Sequence, residues 1–287
     1  MRPLLLATAL LALAAPAAVA DTIVATPADP TPVDAYGGRL AWSERDAATG
    51  RFRLMTEAGS GPVAVAVAER TGPFDVDLGP GPNGTAAVYS RSGTVYRYDF
   101  ATGRETALGT GTLPAIWGSR IAFRRGPALY VRRLGSGARA VHGGTGAVTE
   151  IDLRGSRVAF VRRTGGPQSD RHTDTLLVGR AGGTARPVRR VAHGLLSFAA
   201  IRKPRLLAGA LVYTIAHFGS GLNRFERYDL ATHRTGSARG HQGLLSAAFD
   251  AGRFLYERTR SNESTCHETP SDGVRCTLAL SGPVTFR

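Results

Sequence analysis

Apolar and polar residues alternate along most of this chain in short runs, and Gly, Pro, Asn and Asp separate one run from the next. Alternation with a period of two, with almost no helical periodicity, predicts an all-β array of short strands. The runs also repeat. "GGRLAWSER" (37–45), "NGTAAVYSR" (83–91), "GSRIAFRR" (118–125), "GSRVAFVRR" (155–163), "AGALVYTIA" (208–216) and "AGRFLYER" (251–258) each set a small-residue turn before a short apolar stretch with an aromatic. Those aromatics, Trp42, Tyr89, Phe123, Phe160, Tyr213 and Tyr256, lie 34 to 53 residues apart. Spacings of that size belong to propeller blades, so six copies predict six blades.

Each copy carries neighbours in a fixed order. A short strand precedes the turn, as in "TPVDAY", "FDVDL", "LPAIW", "TEIDL" and "LSAAFD". A third follows the aromatic, as in "RFRLMT", "ALYVRRL" or "CTLAL", and most copies add a fourth, such as "PVAVAVA" or "ARPVRRVA". The near-identical stretches "VYRYDFATGR" (95–104) and "FERYDLATHR" (225–234) are third strands with their turns, which Asp99 and Asp229 open. A β-sandwich is the competing plan, but it needs no recurring aromatic, whereas radial repetition protects strand edges. The expectation is an all-β, six-bladed β-propeller of four-stranded blades over residues 33–287, behind a Pro-rich lead-in at 21–32.

"YRYDFATGR", "RFERYDLATHR" and the run "DLGPGPNGTAAVYSR" resemble the WD40-like repeats of the TolB-like six-bladed β-propeller superfamily. The resemblance runs from about Thr31 to Arg287, without the N-terminal domain of TolB proteins. It implies the propeller fold and leaves the activity open.

The first twenty residues change where this propeller is expected to work. "MRPLLLATALLALAAPAAVA" has a basic start, an apolar run and Ala18-Val19-Ala20 before Asp21, the layout of a cleaved secretory signal. A secreted or otherwise extracytoplasmic protein is expected, with no later membrane span. In that compartment Cys266 and Cys276, the only cysteines, are expected to form a disulfide. The formal charge of +14 suggests an anionic partner. Against that, Lys203 is the only lysine, and an Arg-, Ala- and Gly-rich chain fits the codon bias of a GC-rich genome. The charges read as spread along the chain with no long basic block, so no specific nucleic-acid partner is expected.

Chemistry is sparse. "GPGPNG" (79–84) fits a dinucleotide-binding expression, but Pro80 and Pro82 lack the N–H groups a pyrophosphate needs, and a strand follows rather than a helix. A hairpin turn is the expectation. There is no G-x-S-x-G or H-E-x-x-H, and the seven histidines stand singly. Asp34, Asp75, Asp77, Glu150 and Asp152 fall on or beside first strands, where they could line the central channel and hold Ca²⁺. Propeller lactonases and related hydrolases resemble this plan, with a channel metal activating water. Only three copies supply such acids, and satisfying turn backbone is their simpler use. Loops after the second strand carry Arg45, Arg91, Arg124, Arg125, Arg162, Arg163, Arg258 and Arg260, a candidate ring for carboxylate or phosphate groups. The reading is a monomeric, non-catalytic propeller without a cofactor that recognises a protein or an anionic envelope polymer. The alternative is a hydrolase with a calcium-type channel metal.

Overall fold

A computed structural model describes residues 21–27, 29–165, 171–194, 198–218, 223–240, 244–258 and 276–287. Its strands form six four-stranded antiparallel sheets, the six blades of a β-propeller, and no helix occurs among the described residues. The innermost strands of blades one to six are Val33–Tyr36, Asp77–Gly81, Thr112–Trp117, Ala147–Arg154, Phe198–Leu206 and Leu244–Asp250. Each pairs with the strand that carries a repeat aromatic, and third and fourth strands follow outward.

The repeat aromatics face the gaps between blades. Trp42, Tyr89, Phe160 and Tyr256 are fully buried, and Tyr213 and Phe123 nearly so. The apolar residues gather into six clusters, each shared by two neighbouring blades; Phe52 and Leu54 of blade one, for example, meet Leu78 and Tyr89 of blade two. Burying one such ring stabilises by roughly 1.5–3 kcal/mol, so no blade has its core to itself.

The last blade is completed from the other end of the chain. Its inner three strands are followed outward by Thr22–Ala25, with Thr22 opposite Leu280 and Ile23 opposite Ala279. The stretch read as a lead-in thus supplies the outermost strand of blade six and closes the ring. The hydroxyl of Tyr256 donates to the carboxylate of Asp21, anchoring that strand.

The glycines of "GPGPNG" have packing reasons. A Cβ on Gly79 would stand 2.3 Å from the carbonyl oxygen of Ile116 in blade three, and Gly84 has φ of 111° in the hairpin turn. The turn Asp99–Gly103 repeats at Asp229–His233: each aspartate accepts an N–H two residues on, and each carbonyl accepts one four residues on. His233 adopts φ of 59° where Gly103 has 66°.

Candidate functional site

One position of the inner strand is the same in all six blades: the residue opposite the one that precedes the repeat aromatic. The pairs are Asp34 with Ala41, Asp77 with Val88, Ala115 with Ala122, Asp152 with Ala159, Arg205 with Val212 and Ala248 with Leu255. Around the channel the sequence therefore writes Asp, Asp, Ala, Asp, Arg, Ala. Arg205 Nη1 lies 3.7, 3.6 and 3.3 Å from the carboxylates of Asp34, Asp77 and Asp152. Its Nη2 donates to the carbonyls of Ala35 (2.8 Å) and Leu78 (3.1 Å). The three acids also accept backbone N–H groups of the next blade, from Leu78, Ile116 and Leu206 respectively. They pin neighbouring blades together around one buried cation.

Burial, with Asp34 close by, raises Asp77 well above the usual carboxylate range, and burial raises Asp152 as well. Burial alone would lower Arg205; the carboxylates of Asp34, Asp152 and Asp77 outweigh it and hold the guanidinium above its ordinary value. Three carboxylates in one dry site repel unless a cation or a proton compensates.

Above this plug the channel widens into a cavity of about 300 Å3, to which every blade contributes, among others through Thr31, Asp75, Leu113, Glu150, Lys203 and Glu257. The inner strands bulge here, at Thr112/Ala115, Val148/Glu150, Arg202/Arg205 and Leu244/Ser246. Leu113 and Lys203 sit in two of these bulges with φ of 49° and 43°, each directly before a proline. A left-handed non-glycine before proline is doubly disfavoured, and strain of this kind concentrates at functional sites. Glu257 is fully buried and takes the N–H of Thr31 on both oxygens (3.1 and 3.0 Å), and burial raises it to about 8.

The carboxylates singled out by the sequence separate into two groups. Asp34, Asp77 and Asp152 converge on Arg205. Asp75 instead accepts from the N–H groups of Ser90 (2.7 Å) and Leu113 (2.8 Å), and Glu150 lies 3.5 Å from Arg202. The loop arginines stand at the cavity end of the blades, and most of their donors are committed. Arg91 grips Glu105 through two bonds, Arg163 does the same with Asp174, and Arg162 donates to the carbonyls of Gly143, Pro127 and Gly146. Arg124 donates to the Val148 carbonyl, Arg125 to that of Thr110, and Arg45 lies 3.7 Å from Asp29. Arg258 packs over the Tyr256 ring at 6.0 Å. Arg260 and Cys266 lie outside the described residues; Cys276 is buried. Sequence reasoning missed Arg202, Arg205 and Glu257. Blade five supplies no acid at the channel position, and the basic run "RKPR" carries no signal of burial in the sequence.

No family model and no curated protein matches this sequence. Among solved structures, an oligogalacturonate lyase in complex with manganese is similar at 14% identity and a TM-score of 0.54, over 92% of this chain and 93% of that one. An oligogalacturonate lyase from Vibrio parahaemolyticus is similar at 9% identity and a TM-score of 0.51, over 82% and 71%. A chain of the mitotic checkpoint complex is similar at 12% identity and a TM-score of 0.51, over 99% of each. These likenesses show the propeller fold.

The first of them corrects the expectation about cofactors, which was none, with calcium as the alternative. A protein of this architecture is held in complex with manganese, so a transition metal belongs to what the fold accommodates. The channel carboxylates of this chain do not fit such an ion: Arg205 stands among them, and the described residues hold no group of three or more His, Cys, Asp or Glu arranged for a metal.

Proposed function

We propose that this protein is an exported propeller of the TolB-like superfamily that binds an acidic polysaccharide. One observation carries the reading. From Thr106 to Phe225, which spans blades three and four and the inner half of blade five, the chain has nineteen Lys or Arg against four acids; the remainder has seventeen against eighteen. The net positive charge therefore falls on one side of the disc, +15 in this stretch against −1 in the remainder. Codon bias explains an arginine-rich composition but not the removal of acids from one sector. Fields of neighbouring charges add within a Debye length of about 8–10 Å, so a polyanion meets an attractive surface over adjacent blades. The lyase neighbours, whose names carry an oligogalacturonate, favour carboxylated sugars among polyanions. The test is affinity for oligogalacturonate against its methyl-esterified, uncharged form. Binding of the charged form, weakening about ten-fold or more between 50 and 200 mM salt, is expected; equal affinity for both forms would contradict the reading.

A second reading has its own observation, the strained Lys203 beside Arg202 in the cavity. There Arg202 would neutralise a uronate carboxylate, and Lys203 in its uncharged form would take the proton from the ring carbon beside it. A double bond would form to the next carbon as the glycosidic oxygen leaves with a proton returned by the lysine. Appearance of an unsaturated, ultraviolet-absorbing end group on incubating oligogalacturonate with the protein supports cleavage; an unchanged polymer leaves binding alone.

A further inference from the structure

The face opposite the cavity, where first strands turn into second strands, holds arginines of a different kind from those of the loops. Arg120 lies directly opposite Arg133 in blade three, and Arg157 directly opposite Arg180 in blade four. Like charges in facing sheet positions destabilise a sheet. Some arginines elsewhere are paired with acids, as in Arg53 with Asp46 and Glu69, or Arg91 with Glu105. Blade five also sets Arg224 opposite Arg239, but there Arg224 lies 3.5 Å from Glu226. Among the described residues none of Arg120, Arg133, Arg154, Arg157 and Arg180 has a carboxylate within 4 Å or a hydrogen bond from its guanidinium. Among the described residues blades three and four place no acid at this end, whereas blades one, two, five and six place Glu57, Asp99, Asp229 and Asp250 there.

Two of them, Arg154 and Arg157, border a groove of about 360 Å3, lined by Trp117, the turn Arg154-Gly155-Ser156-Arg157 and the stretch Leu206-Leu207-Ala208. Arg154 lies over the Trp117 ring at 4.3 Å, and Tyr36 meets the same ring edge-on at 5.9 Å. The indole and guanidinium are thereby held in place before any ligand arrives, which lowers the entropy lost on binding.

We propose that the acidic polysaccharide seats a sugar ring in this groove, with its carboxylate between Arg154 and Arg157 and its apolar face toward Leu207 and Ala208. The proposal rests on the polysaccharide reading above and moves the contact from the cavity to the opposite face. Guanidinium forks match carboxylates through two bonds. The apolar wall beside them distinguishes a carboxylate carried on a ring from a bare phosphate chain, which offers nothing to that wall. At the cavity end Arg91, Arg124, Arg162 and Arg163 spend donors inside the protein; those of Arg154 and Arg157 are open.

Trp117 supplies the readout, because the other tryptophan, Trp42, is fully buried. Oligogalacturonate is titrated into the full protein while tryptophan emission and affinity are followed. The expected result is a saturable emission change that disappears in Trp117→Phe. Affinity should fall about ten-fold or more in Arg154→Gln/Arg157→Gln and less than about three-fold in Arg227→Gln/Arg234→Gln, a pair of equal charge in blade five. The conservative pair Arg154→Lys/Arg157→Lys should recover only part of the loss, since it keeps charge without the fork. Equal losses in the two glutamine pairs overturn the site while leaving polysaccharide binding intact. No binding by the unaltered protein overturns both. Tighter binding of a polyglycerol-phosphate chain or of anionic lipid vesicles at the same residues overturns the carboxylated sugar as the occupant.

Discussion

Arg205 and Glu257 show two ways in which a single residue tolerates burial beside acids. Arg205 stays charged because three carboxylates surround it, so the channel carries its own cation. Glu257 has no cation within reach among its hydrogen-bond partners and answers burial by holding its proton, with its titration raised from 4.5 to about 8. Between those two values the folded state binds a proton that the unfolded state has lost, so this group's contribution is full below pH 4.5 and falls as pH rises toward 8. Glu257→Gln keeps a carbonyl for Thr31 N–H and removes the titration. It is expected to raise stability at pH 8 by about 2 kcal/mol and to flatten the decline in melting temperature between pH 5 and 8. An unchanged decline would mean that Glu257 ionises freely in the fold. The aspartates of the ring were visible in the sequence because their strand position repeats. Arg205 was not, since its meaning comes from residues 53, 128 and 171 positions away.

At the scale of elements the local signals were legible and the partners were not. Turn chemistry and the aromatic period located all six second strands and the inner strands of five blades, because both act within a hairpin; the inner strand of blade five, Phe198–Leu206, was not among those read. The fourth strand of blade one was expected as "PVAVAVA", yet only Val63–Ala64 pairs, while Val65 turns inward to the core shared with blade two. The outer strand of blade six was invisible for the same physical reason: Thr22–Ala25 pairs with a strand more than 250 residues away, and alternation does not encode a distant partner. Val24 and Ala25 pack against the core shared by blades one and six. Deleting residues 21–26 should therefore cost about 2–4 kcal/mol, from lost apolar burial and unpaired strand edge, and lower the melting temperature by several degrees. Replacing Val63 and Ala64, both exposed, by Ser should change it by less than about 0.5 kcal/mol. Equal effects in calorimetry would show that the ring is not closed by its first strand.

For the whole molecule, the disc is held by cores shared between blades and by carboxylates that reach from one blade to the next, and its charge is divided between two sides. That division is written in the sequence, but it becomes visible only when residues are counted by blade, since blades turn a stretch of chain into a sector of surface. Nearness to a channel mouth, which is legible in the sequence for the loop arginines, does not say whether a guanidinium is already bonded, as those of Arg91, Arg162 and Arg163 are. The acidic polysaccharide is proposed to lie across the end of blades three and four that has no acid among the described residues. Hydrogen exchange of the unaltered protein with and without oligogalacturonate tests it most directly. Slowed exchange in the turns around Gly118, Gly155 and Gly182, with the cavity strands near Leu113 and Lys203 unchanged, is the predicted result. Protection confined to those cavity strands, or spread evenly over the six blades, would contradict it.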